Sequence, residues 1–265
     1  YVGSSGGVFK SLDGGDHWFA VNSGLDELNV NGLAMDPRNS AVLYASGPNG
    51  VYKTVTGAEV QSAPAISAVV NGASNLSGPV SPGEIVVITG SGLGPGQLIP
   101  GIPGANGLYN ALLSGTTVQF NGTPAPLIYT KAGQVAAQVP DSLSVGASQV
   151  TVAYEGRSSA SFPVQVTQYA PGVFTLDTTG KGQAAALNQD GSLNNASNPA
   201  KAGDLISFFV TGIGAGPVMV SIGGIDGTAT SVKPLLPGVA RIDAGIPTAV
   251  QVGSENGSVQ PRSFQ

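Results

Sequence analysis

The chain has 265 residues, no cysteine and one histidine, and only 9% of it is charged, against about 25% in an ordinary soluble domain. That composition excludes disulfides, thiolate metal sites, cysteine nucleophiles and any centre that needs two imidazoles. A net charge of −5 runs against a nucleic-acid partner, which calls for a basic face, and no apolar run reaches the 18 residues of a membrane span. The 40 glycines and 19 prolines, set among many Val, Thr and Ser, predict an all-β chain with many turns. It opens at Tyr1, without an initiator Met, in what reads as mid-strand. The expectation is a piece of a longer polypeptide, so a missing signal peptide says nothing about export.

A repeat comes first in chain order. Tyr1, Gly7, Val8, Phe9, Lys10 and Gly14 recur 43 residues later as Tyr44, Gly50, Val51, Tyr52, Lys53 and Gly57. A period of 40–45 residues with short alternating strands is the pattern of β-propeller blades. Between the copies, Val30–Asp36 and Val42–Ala45 alternate as strands around a turn at Pro37–Ser40. The first copy continues as Ser11-Leu12-Asp13-Gly14-Gly15-Asp16-His17-Trp18. This resembles the Asp box, S-x-D-x-G-x-x-W, of sialidase-like (BNR), sortilin-like and photosystem-assembly-factor-like propellers. The resemblance implies a structural element on the rim, away from catalysis. Asp13 would accept backbone N–H bonds, Gly15 would allow positive φ, and Trp18 would pack beneath the turn. His17 beside Asp16 reads as a solvated turn and not as an acid–base pair. One blade and part of a second cannot close a propeller, because each blade buries its faces on neighbours. Residues 1–60 therefore read as the end of an Asp-box propeller whose other blades would be its partners.

After a linker at Gln61–Ala65 a second duplication begins. Ser81–Gly96 recurs as Lys201–Gly216, 120 residues on, with glycine at four matching places and Glu84 matched by Asp204. Val118–Gly122 matches Val220–Gly224, Val135–Pro140 matches Ile242–Pro247, and Val150–Val152 matches Val250–Val252. Two homologous sets of short strands read as two immunoglobulin-like β-sandwiches, over 63–168 and 169–265. Phe120, Phe162, Phe174, Phe208 and Phe209 are assigned to their cores or to the seam between them. Phe264 aligns with Phe162, so the second sandwich is expected to stop short of a final strand, which marks either an arbitrary end of the sequence or an edge that a neighbouring subunit can fill.

The strand ending Ile88-Thr89-Gly90-Ser91-Gly92-Leu93, followed by Val118-Gln119-Phe120-Asn121-Gly122, resembles the IPT/TIG domain. Asn71–Ser74, Gln134–Pro140, Pro171–Thr175, Gly182–Ser192 and Thr211–Gly214 resemble the duplicated C-terminal module of large secreted acidobacterial proteins of the Solibacter type. That family has no assigned reaction and stands behind propellers and other extracellular modules. One departure is the few residues that separate Gly216 from Val218, where the family often carries a longer loop.

The remaining motifs read as structure. Gly90–Gly96 follows a strand, but Pro95 breaks the dinucleotide spacing and no helix follows to receive a phosphate. Asn188–Asn194 holds a single acid, Asp190, where a calcium loop needs several; it reads as a hairpin turn. Asp26-Glu27 reads as a solvated turn, and the sequons at Asn75, Asn121, Asn195 and Asn256 read as chance. Tyr109, Tyr129, Tyr154 and Tyr169 are the aromatics available to face a ligand. No catalytic, metal or cofactor residue emerges. The expected function is a non-catalytic structural, adhesion or assembly module, extracellular or on the cell surface of a bacterium. The alternative is a carbohydrate-binding accessory region of a secreted glycan-active enzyme, with surface glycans as partners.

Overall fold

The computed structural model of the chain describes residues 1–55, 63–214 and 216–248. Every regular element among them is a β-strand. They fall into two compact units, Tyr1–Ala63 and Pro64–Gln265.

The first unit holds two three-stranded antiparallel sheets. One orders Val2–Ser4, Gly7–Lys10 and Phe19–Ala20; the other orders Gly32–Asp36, Asn39–Gly47 and Gly50–Thr54. The 43-residue repeat is a repeated hairpin. Ser4 pairs Gly7 as Gly47 pairs Gly50, and Val2 pairs Phe9 as Ala45 pairs Tyr52. Gly7 and Gly50 both carry positive φ, 108° and 137°, which closes each two-residue turn at no cost in side-chain clash. Even the surface repeats: Lys10 Nζ stands 5.3 Å over the Tyr1 ring and Lys53 Nζ 5.7 Å over the Tyr44 ring. Val8, Val30, Leu43 and Ala45 form the small core. Each sheet has three strands where a propeller blade has four; after Ala20 the chain turns through Val21–Asn31 without adding another.

In the second unit the sandwich pattern appears first between Ala65 and Val166. One sheet runs Ala65–Asn71, Ile85–Ser91, Gln134–Gln138, Leu127–Lys131 and Ile99–Pro100. The other is built on Thr116–Phe120 beside Gly146–Tyr154, with Phe162–Val166 completing it. The alternation of Val118 and Phe120, and of Val150 and Val152, turns one side of each strand inward against Val86, Ile88, Val135 and Leu127, as the two-residue period of a strand requires.

The second copy repeats this register. Val135 pairs Ile88 as Ile242 pairs Phe208, and Ala137 pairs Val86 as Ala244 pairs Ile206. Gly83 N–H donates to Val139 O as Gly203 N–H donates to Ile246 O, at 3.0 and 2.9 Å. The glycines at both ends of this strand have positive φ in both copies: 77° and 90° at Gly83 and Gly203, 64° and 73° at Gly92 and Gly212. The hairpins after Phe120 and Ile222 both turn through two positive-φ residues, the geometry that matches strand twist. Phe208, Val210, Val220 and Ile242 make the second core. The copies part after Gly92. There the first inserts a loop through Gly115 whose Ile99–Pro100 segment pairs with Leu127–Lys131. The second reaches Met219–Ile222 within a few residues, and Ser231–Leu236 is left as the sheet edge. Lys233 and Pro234 on that strand are residues that discourage further pairing. The strand pair expected at Val250–Val252 and the edge expected near Phe264 lie outside the described residues.

Candidate functional site

Ser11–Trp18 folds as a polar turn. Asp13 Oδ1 accepts from the His17 N–H at 2.9 Å and from Ser11 Oγ at 2.9 Å, and Ser11 Oγ accepts from the Gly15 N–H at 2.8 Å. Asp13 Oδ2 also meets His17 Nδ1 at 2.5 Å, so the histidine engages Asp13 and not its neighbour Asp16. The His17 backbone N–H, and then its ring, hold the Asp13 carboxyl below the usual aspartate range. Trp18 departs from expectation. It is 45% exposed and, within its unit, leans on Gly15 at the turn surface, because the small core of four side chains does not extend beneath it.

The four tyrosines are not brought together. Tyr154 ends the inward row of Gly146–Tyr154 and is buried; it faces no ligand, and burial, with Glu155 beside it, pushes its phenol up to about 12. Tyr129 is half-buried on the other sheet, opposite Pro100, and its phenol is raised by burial. Tyr109 is half-buried over Gly101. Tyr169 lies in the connection to the second copy, 39% exposed, with its ring against Gly214 and Gly216.

The most organised polar site is one that the residue patterns did not single out: the seam between the two copies. Asn71 stands at the end of Ala65–Asn71 and Glu84 just before Ile85–Ser91; both are buried, Glu84 completely. Asn71 Oδ1 accepts the N–H groups of Ala73 and Ser74, each at 2.9 Å. Its Nδ2 donates to Glu84 Oε1 at 2.8 Å and to Ala170 O of the second copy at 3.0 Å. Glu84 Oε2 accepts from the Ser81 N–H at 2.7 Å and lies 3.4 Å from Ser81 Oγ. Ser81 Oγ is in turn 3.2 Å from Gly212 O of the second copy. Ile85 N–H donates to Thr211 Oγ1 at 2.7 Å, and Asn75 Nδ2 to Thr178 O at 2.8 Å. Among the described residues these four polar bonds cross the seam. Two glycines permit the approach: a Cβ on Gly172 would run into the Asn71 amide, and one on Gly180 into Ser74 O.

Burial pushes the Glu84 carboxyl up to about 7, against the pull of the Ser81 and Asn71 donors. Its counterpart Asp204 repeats only the turn closure, accepting from the Lys201 N–H at 3.1 Å. It lies half-buried. A sequence signal for the site existed: Glu84 is the one charged residue between Glu59 and Lys131.

Other polar groups serve the fold. Asp243 is buried, which would raise its pKa, but hydrogen bonds from Ser207 Oγ and Arg241 hold it below the usual range. In the glycine-rich loop, Thr116 Oγ1 meets Thr130 Oγ1 at 2.9 Å beneath Gly94. Asp190 accepts from Ser192 within its turn. The sequon residues Asn75, Asn121 and Asn195 hold backbone groups; Asn256 lies outside the described residues. Among the described residues no cluster of three His, Asp or Glu could hold a metal ion, and no helix is long and apolar enough to cross a membrane.

No curated protein matches the sequence. Among solved structures, the mixed-linkage glucan utilization locus protein SGBP-B of Bacteroides ovatus, in complex with a mixed-linkage heptasaccharide, is 15% identical. That match covers 79% of this chain and 43% of that one, with a TM-score of 0.35. The plexin A4 extracellular region is 12% identical over 80% of this chain and 15% of that one, TM-score 0.33. The γ-CGTase of the alkalophilic Bacillus clarkii is 17% identical over 86% of this chain and 34% of that one, TM-score 0.29. The chain spans less than half the length of each. Across the first sandwich the expected resemblance holds: residues 68–169 are an IPT/TIG domain.

Proposed function

We propose that the chain is a non-catalytic, extracellular structural module of a larger secreted bacterial protein, in which the paired sandwiches act as a fixed-angle spacer. The observation that carries this reading is the seam. Four hydrogen bonds and glycine-permitted backbone contact join the copies, and a spacer needs a joint that does not swing freely. The IPT/TIG domain and the resemblance to duplicated modules of acidobacterial proteins support an extracellular setting. In this reading Ser11, Asp13, Gly15 and Trp18 form a structural Asp box. The exposed Trp18, Leu12 and Val51 of the first unit are faces on which further blade-like repeats pack. Small-angle scattering and label-to-label distances across residues 63–248 test the spacer; a broad distribution of inter-copy distances under all conditions would overturn it. Turnover on a panel of glycosides, esters and peptides, removed by one point change in residues 63–248, would overturn the non-catalytic reading.

A second reading, carbohydrate binding as an accessory to a secreted glycan-active enzyme, is favoured by one observation. Tyr169 presents an exposed ring beside the seam, backed by glycines. Binding on a glycan array that disappears with Tyr169→Ala supports it, and silence across the array removes it.

A further inference from the structure

We propose that the joint between the two sandwiches is a proton-operated latch, in which a proton on Glu84 Oε2 is donated to Ser81 Oγ, leaving the Ser81 hydroxyl proton to bond Gly212 O across the seam. Ser81 Oγ carries one proton and has two acceptors in reach, Glu84 Oε2 at 3.4 Å and Gly212 O at 3.2 Å. When Glu84 is ionised it can only accept, so it competes with Gly212 for that proton. When Glu84 is protonated the competition ends, and the chain Glu84 O–H to Ser81 O–H to Gly212 O has one donor for each acceptor. Asn71 is indifferent to the change at Oε1, because its two Nδ2 protons already serve Glu84 and Ala170 O.

The ionised state is also the costly one. Glu84 is fully buried, and no cation is among the influences on its charge. A buried charge without a partner is relieved by admitting water or by taking up a proton. The second copy faces it with Ala170, Thr211, Gly212 and Gly238, none of them ionisable. On its own copy the acid beside the same turn is the exposed Asp141, whose carboxylate lies over Gly83. Burial places the titration near neutrality, at about 7. The latch is therefore shut in mild acid. Above neutrality the way to hydrate the charge is to part the seam, which uncovers Asn71 and Ser81, the two side chains that bond both Glu84 and the second copy.

The chain has no native cysteine, so Gln149→Cys and Asp226→Cys, both exposed, place one spin label on each copy without background. Pulsed electron–electron distances on the whole chain are expected to give one narrow population at pH 5.5 and a second, longer population at pH 8.5, with a midpoint within one unit of 7. Glu84→Gln, neutral at both values, should stay unchanged between them, while Asp141→Asn should keep the transition. A single unchanged population in the otherwise native chain at both pH values overturns the proposal without any variant. So does a transition that persists in Glu84→Gln. If that variant does not fold, a 13C titration of the Glu84 carboxyl in the native chain decides: a midpoint near 4.5 overturns the latch.

Discussion

Replacing Asn71 removes the side chain on which both copies converge. Asn71→Ala deletes four hydrogen bonds, two accepted from Ala73 and Ser74 N–H and two donated to Glu84 and Ala170 O. Ala73 is 2% exposed and Glu84 is fully buried, so water cannot replace those partners without opening the fold. An orphaned buried group costs about 1–3 kcal/mol. With two such groups, and partial solvation of Ser74, the expected loss is about 3–5 kcal/mol, a large part of the 5–15 kcal/mol typical of a domain. Urea unfolding checks it. The single tryptophan, Trp18, sits in the first unit, so tryptophan emission follows that unit alone, and the circular-dichroism transition it does not share belongs to the second unit. Asn71→Asp sharpens the test. It keeps both acceptor bonds but sets a second carboxylate against Glu84, so its loss should be full at pH 8 and mostly recovered at pH 5, where a shared proton restores a donor. A loss below 1 kcal/mol for Asn71→Ala, or an Asn71→Asp loss equal at both pH values, would refute this account of the seam.

Glu84 itself makes stability depend on pH. Its folded pKa of about 7 stands above the ordinary 4.5, so the native state holds the proton longer. Stability is full below about pH 4.5, falls as pH rises to about 7 and is flat beyond, by on the order of 3–4 kcal/mol; Glu84→Gln should flatten that slope in urea titrations. Trp18→Ala should cost about 1 kcal/mol by circular-dichroism melting, not the 3–5 of a buried aromatic, because Trp18 is 45% exposed. Gly94→Ala should cost about 1–3 kcal/mol by overpacking the Thr116–Thr130 pair, since its Cβ would meet Thr130 Oγ1. Gly96→Ala, with open space around it, should be within about 0.5 kcal/mol of the parent in the same melts.

Strand identity and repeat register were determined by the sequence alone, because both are local. The two-residue alternation of Val118 and Phe120 names an inward face wherever the strand is placed. Glycines at 83, 92, 203 and 212 announce the same left-handed turns in both copies. The hairpin at Gly7 and its repeat at Gly50 were legible for the same reason. Packing partners were not. The sequence marks Trp18 and Tyr154 alike as aromatics near turns. Only the assembled sheets bury Tyr154 on an inward row while leaving Trp18 on a surface its own unit does not cover. The paired acids show this most plainly. Glu84 and Asp204 occupy the same turn and close it with the same backbone bond, so by sequence they are equivalents. Tertiary structure separates them: Glu84 is completely buried at the seam, while Asp204 stays half-buried. Desolvation depends on what comes to rest over a group from far along the chain; here Ala170 and Gly212 bond Asn71 and Ser81, the side chains that enclose Glu84, and no local pattern carries that information.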